Sequence, residues 1–378
     1  MKLIIEQGAL QKALARVLGV IASRNTIAIL DNVAIDATAE GVWLTSSDLV
    51  LEARAKVDAT VVETGSITAT AALLGDLVRS APPGAEITLT HGGSDPRLIV
   101  QFGRSRYQVP VMARDGFPTL KPLEGAALFQ IQAVDLKAMI GRVAFAQSQD
   151  LKAQPYLCGV YLHRSPEGGK DAPLRMVATN GHRLALAEAP AVDMPAELGG
   201  VLLPSKAVAE FGRALEGRAG LVTLRMDRVA VVLEFEDATL RSKVLDGTPV
   251  DYQRVFSPTW SKEIDVDRQL LLNTVRRVAL VSDNKERSIT LSLDTDVLSL
   301  AAQGQDAAQG TEELEVGYSG EPFRIGFNAK YVLDALGQTE AEVVTLRMND
   351  SAGPCKLEPS ASDPEHGPVV SILLPQRV

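Results

Sequence analysis

Apolar residues recur at positions i, i+4 and i+7 in three separate stretches of the chain, the spacing that puts them on one face of an α-helix. Each stretch has the form Leu-x-x-x-aliphatic-x-Arg-Val: Leu10, Leu14, Arg16, Val17; Leu136, Ile140, Arg142, Val143; and Leu271, Val275, Arg277, Val278. The three arginines stand 126 and 135 residues apart in a chain of 378, close to one third of its length. Self-similarity at that period predicts three like domains. Asp135 and Asp267 lie ahead of the second and third of these helices, where an acid complements the helix N-terminus.

A second helix is predicted later in each third, over 71–79, 205–213 and 329–337, aligned on Asp76, Glu210 and Asp334. Between the helices run segments rich in Val, Ile, Leu and Thr, such as 42–45, 98–102, 221–226, 229–233 and 289–293, which read as strands. Glu40-Gly41, Gly92-Gly93 and Asp246-Gly247 supply turn chemistry. The pattern predicts an α+β protein of three similar domains, each a duplicated helix-plus-antiparallel-sheet unit. Stretches 118–125 and 256–263 carry Pro or Gly and little periodicity, so the domains are expected at 1–123, 124–256 and 257–378.

Composition narrows the function classes. With 46% hydrophobic and 22% charged residues the chain can bury sizeable cores, and disorder is not indicated. The net charge of −9 argues against a wholly basic nucleic-acid binder, although a local cluster of Lys and Arg can still hold phosphate. No apolar run approaches the roughly 20 residues of a membrane span, and the start meets charge too early for a secretory signal. A cytoplasmic protein is expected. Cys158 and Cys355 form no CxxC pair and are expected to be buried thiols. The four histidines, His91, His163, His182 and His366, accompany no Gly-x-Ser-x-Gly, phosphate-cradling loop or dinucleotide fingerprint. Asp294-Thr295-Asp296 reads as a strand-to-strand turn in preference to a metal pair. No enzyme, cofactor or metal is expected.

Six motifs in order carry a family resemblance: Thr26-Ile27-Ala28-Ile29-Leu30-Asp31-Asn32, Gly103-Arg104-Ser105-Arg106, Ala178-Thr179-Asn180-Gly181-His182-Arg183-Leu184, Asp251-Tyr252-Gln253-Arg254-Val255, Ile325-Gly326-Phe327-Asn328-Ala329-Lys330-Tyr331-Val332-Leu333 and the terminal Leu374-Pro375-Gln376-Arg377-Val378. From end to end the chain resembles the bacterial β sliding clamps, the DNA polymerase III β subunits. The resemblance implies a head-to-tail homodimer whose six domains close into a ring around duplex DNA, with helices lining the hole.

It also implies three sets of residues. For sequence-independent phosphate contacts, basic side chains on solvent-facing helix flanks are the candidates, namely Arg16, Arg24, Arg79, Lys137, Arg142, Lys206, Arg213, Arg276, Arg277, Lys285 and Arg287; the resemblance adds that Arg24 and Lys206 match DNA-facing positions and that Gln149 and Lys152 lie in a DNA-contacting loop, while the plain alternative for any one is a solvated face. An apolar cleft for short peptides of the replicative polymerase, the clamp loader and other partners falls to Leu157, Thr179, Gly181, His182, Arg183, Leu184, Val255, Asn328, Tyr331, Ile372, Leu374, Pro375 and Arg377, with His182, Arg183, Asn328 and Arg377 as a polar rim. By pattern alone His182 is a turn residue; the resemblance makes it a cleft residue. The ring-closing interface falls to Arg104, Arg106, Tyr107 and Val109 on an edge strand and Leu280 and Val281 at a helix end. The chain departs from the family at Val250, where a proline is usual, and in a longer loop over 152–156. A β-rich peptide scaffold that never touches DNA is the rival reading.

Overall fold

A computed structural model of the chain describes residues 1–377 except 94, 122, 124, 151–153, 168, 170, 171, 195–198, 257, 258, 283–286 and 362–366. Six α-helices occur among the described residues: α1 Gln7–Leu18, α2 Ala71–Ser80, α3 Ala133–Ala144, α4 Ser205–Ala214, α5 Arg268–Val278 and α6 Ala329–Leu336. They lie on the six stretches that the periodicity marks. The stripes Leu10, Leu14, Val17, then Leu136, Ile140, Val143, then Leu271, Val275, Val278 are all buried. Each such side chain removed from water contributes roughly 2 kcal/mol, which outweighs the weak intrinsic tendency of helices this short.

Local chemistry sets the helix starts. The Glu6 carboxylate accepts the Ala9 N–H at 2.9 Å, Asp267 accepts that of Leu270 at 2.7 Å, and Asn328 accepts that of Lys330 at 3.0 Å. Backbone donors from Gly8 and Ala9 hold the Glu6 carboxyl below its ordinary pKa. Asp135 differs from expectation: it is the third residue of α3, preceded by Gln132, which makes no capping bond. Its charge therefore acts on the dipole of the first turn and caps nothing.

The chain packs as two compact units, residues 1–131 with 209–244, and residues 132–208 with 245–378. The first holds a 13-stranded sheet in the order Ala127–Gln132, Leu221–Met226, Ala230–Glu234, Ala238–Lys243, Leu51–Val57, Gly41–Ser47, Asn32–Thr38, Gly65–Thr70, Ser105–Ala113, Arg97–Phe102, Glu86–Thr90, Lys2–Glu6, Thr60–Glu63. The second holds an eight-stranded sheet, Gly200–Pro204, Gly159–Arg164, Pro173–Thr179, Arg183–Ala191, Val369–Leu373, Cys355–Pro359, Val343–Met348, Lys262–Asp267. It also holds a four-stranded sheet, Gln309–Glu315, Val297–Gln303, Ser288–Asp294, Phe323–Asn328.

These long sheets are made of halves of four or five strands, and halves of different thirds are welded at two joints. Leu51–Ala55 of the first third pairs antiparallel with Ala238–Ser242 of the second, and Arg183–Ala187 of the second pairs antiparallel with Val369–Leu373 of the third. Each third thus lends one half to a neighbour's sheet. Several sheet edges stay open among the described residues, and two of them stand where the joints above would place a partner strand. Gln309–Glu315 has a partner on one side only, and the segment 105–110 pairs with Arg97–Phe102 alone, because Gly65–Thr70 reaches only 111–113.

Candidate functional site

The second unit carries a cleft of about 700 Å³ lined by Phe145, Gln147, Ser148, Gln149, Asp150, Gln154, Leu157, Asn180, His182, Arg183, Lys330, Tyr331 and Asp334. Its centre is the turn 179–183. Asn180 Oδ1 accepts the N–H groups of His182 and Arg183 at 3.0 and 3.1 Å, while Thr179 Oγ1 accepts that of Gly181 at 3.1 Å and donates to the Arg183 carbonyl at 2.7 Å. Gly181 takes φ of 86°, a value that glycine adopts at little cost. The side chain of His182 is left exposed at the mouth.

Arg183 is not a rim residue. It is 7% exposed, bonds Asp334 of α6 and the Phe145 carbonyl at the end of α3, and lies over the rings of Phe145 and Tyr331 at 4.8 and 4.5 Å. A planar, permanently charged fork suits a buried junction of carboxylate, carbonyl and aromatic faces, so the sequence places it inside the wall.

Beneath the turn, Val177, Leu184, Leu186, Tyr252, Val370 and Ile372 pack as one apolar cluster, with Tyr161, Val255 and Phe256 half-buried against it. A small hollow above it is walled by Leu157, Val177, Thr179, Leu202, Val250 and Tyr252. Leu374 to Arg377 follow the last strand and do not belong to it. The Leu374 N–H donates to the His182 carbonyl and that of Gln376 to Gly326, both at 2.9 Å, while Ser288 Oγ donates to Gln376 Oε1 at 3.0 Å. The tail is a strap between the 179–183 turn and the strand ahead of α6. Leu374 and Pro375 are half-buried in it and Arg377 is exposed; Asn328 caps α6.

A polar relay backs the cluster. His163 Nδ1 donates to the Arg164 carbonyl at 2.6 Å, which leaves Nε2 to accept from the Tyr252 hydroxyl at 3.2 Å. Arg175 bonds both Tyr252 and Glu188. Burial pushes His163 down to about 4, and burial likewise raises the Tyr252 hydroxyl.

The expected phosphate contacts divide. Arg24, Lys137 and Arg276 are exposed, and Lys206 is a half-buried residue of the first turn of α4. Arg79 is exposed but pairs with Asp76 at 2.7 Å. Gln149 lines the cleft. Arg277 is held by Glu312, at 2.8 Å from Nε and 2.6 Å from Nη2, so its charge is already compensated. Lys152 and Lys285 lie outside the described residues. No helix is long and apolar enough to cross a membrane, and no cluster of metal-ligating side chains occurs among the described residues.

Three family models match in tandem: DNA polymerase III beta subunit N-terminal domain at 1–121, central domain at 130–249 and C-terminal domain at 253–371. The chain belongs to the DNA polymerase III beta subunit family. The beta sliding clamp of Caulobacter vibrioides NA1000 is 39% identical over 378 residues, covering both chains fully. That of Pseudomonas aeruginosa PAO1 is 33% identical over 354 residues, 93% of this chain and 94% of the relative. Among solved structures, the Caulobacter crescentus beta sliding clamp superposes with a TM-score of 0.95 at 39% identity, over 100% of this chain and 99% of the other. The sliding clamp of Bartonella birtlesii bound to griselimycin does so at 0.93 and 32% identity, with both chains fully covered.

For a member of this family the open edges carry the next information. Arg106 and Tyr107 are exposed on the 105–110 edge and Arg104 in the turn ahead of it, Tyr107 stacking on Phe102 at 5.4 Å, but Val109 is fully buried, so only its backbone can face a partner. Leu280 is 83% exposed, and Val281 packs on the apolar core around Leu271, Val275 and Phe327. The sequence reading missed the other open edge, Gln309–Glu315, with Glu312, Glu313 and Glu315. Its run of acidic residues was the available signal, opposite in sign to Arg104 and Arg106. It also missed Phe145, Asn180, Lys330 and Asp334 in the cleft, of which Asp334 stood in the aligned helix pattern.

Proposed function

We propose that the chain is a DNA sliding clamp, a non-catalytic cytoplasmic tether that closes with a second copy around duplex DNA and docks the replicative polymerase, the loader and other proteins through short peptides. The three repeats at 1–123, 124–256 and 257–378 act as its domains. One observation carries this reading. The last strand of one half-repeat pairs with the next third's edge at two joints in the chain, and the same rule applied once more leaves Gln309–Glu315 and the segment 105–110 without mates. Head-to-tail pairing of two copies satisfies both edges at once and closes the assembly. The acidic edge then meets Arg104 and Arg106, which favours that register over self-pairing of like edges.

The exposed cations Arg24, Lys137 and Arg276, with Arg79 and Lys206, supply phosphate attraction without base readout, as a sliding contact requires. The hollow over Leu157, Thr179 and Val250 suits apolar peptide anchors, and His182 and Tyr331 at the cleft mouth suit the peptide backbone. Sedimentation gives the test of assembly, with a dimer mass expected. Retention on DNA gives the test of topology: the protein stays on nicked circular DNA and leaves once the circle is linearised. Equal retention on both forms refutes encirclement.

A further inference from the structure

The three repeat arginines invite comparison, because two of them already span a joint. Arg16 of α1 reaches Asp237, in the link that leads into the joint strand Ala238–Lys243, through Nη1 at 2.6 Å. Arg142 of α3 reaches the Gly367 carbonyl, in the link that leads into the joint strand Val369–Leu373, again through Nη1 at 2.9 Å. The third arginine, Arg277 of α5, has no joint within the chain. Glu312 and Thr274 bond its Nε and Nη2, and no bond of its Nη1 is seen among the described residues. The corresponding link in the first third is Gly103-Arg104, which leads into Ser105–Ala113. Gly103 has φ of 53° and Gly367 of 71°, so each of these two links holds a glycine in the left-handed region.

We propose that Arg277 is a ring-closing residue whose Nη1 donates to the Gly103 link of a second copy, with Glu312 holding the guanidinium in the required orientation. This rests on the head-to-tail reading above and moves Arg277 from the DNA-facing set to the interface. Glu312 lies on the acidic edge itself, so the edge that pairs with the partner also aims the arginine. A fork fixed on two of its nitrogens pays little further ordering cost when the third bonds.

The test is sedimentation without DNA. Arg277→Ala is expected to raise the monomer–dimer dissociation constant about tenfold or more, the loss of one charge-assisted hydrogen bond. Arg277→Lys, which keeps the charge but not the fork, is expected to weaken the dimer as well. A dimer indifferent to Arg277→Ala overturns this inference alone, whereas a wild-type chain that stays monomeric at every concentration overturns the ring reading. A second measurement reads proximity directly: Arg277→Cys with Arg104→Cys, held at a concentration where sedimentation still shows the dimer and treated with a short bismaleimide, is expected to give a covalent dimer. Cys158 and Cys355 are buried and stay out of the reaction. An intact dimer that fails to cross-link also overturns the proposal.

Discussion

His163 shows how a single buried ring makes the cleft wall sensitive to acid. Its folded pKa, about 4, lies below the ordinary 6.5, so between those values the unfolded chain binds a proton that the folded chain refuses. Stability is therefore full above pH 6.5, falls as pH drops toward 4 and levels off below, by an amount of order 3 kcal/mol from this group. Urea titrations at pH 7.5 and 4.5 are expected to show that loss, and His163→Gln to flatten it. Arg183 is the companion case. Arg183→Ala strands Asp334 and empties the space between Phe145 and Tyr331, so a loss of about 2–3 kcal/mol in urea unfolding is expected. At this scale the sequence was only partly legible. Residue types and motif order picked out His182, Arg183 and Tyr331, but burial of Arg183 and Val109 depends on which neighbours the fold brings up, and no local spacing carries that.

Among elements, the helices were the most legible, because a period of 3.6 with a buried stripe is a property of ten adjacent residues. Caps were half legible: Asp267 bonds α5 as expected, and Asp267→Ala is expected to cost about 1 kcal/mol in thermal or urea unfolding. Asp135, one turn of reasoning away, sits inside its helix because the chain enters α3 two residues earlier. The terminal segment is a strap and no continuation of the last strand, since Leu374 and Gln376 bond two different elements. Removing 374–378 is therefore expected to abolish binding of a polymerase-tail peptide while leaving the dimer mass unchanged. A peptide titration indistinguishable from wild type counts against the strap's part in the cleft.

For the whole molecule, what escaped the sequence is the welding of sheets across thirds. Pairing of residues 51–55 with 238–242 spans nearly two hundred positions and leaves no periodic trace, whereas the threefold repeat does. The two unmatched edges follow from that welding and are where the proposed contact between copies would form. Reversing Arg104 and Arg106 to Glu sets like charges along both edges, and sedimentation is expected to show a largely monomeric chain. Adding salt to the wild type is expected to loosen the same contact in a graded way, because these side chains are solvent-exposed.

The two joints inside the chain share one property that the contact between copies lacks: each five-pair ladder is tethered by a continuous backbone, so a broken rung re-forms at once from neighbours that cannot diffuse away. A seam between separate molecules has no such leash. Any pull on an assembled hoop would part it there first, much as a bracelet opens at its clasp and not at its soldered links.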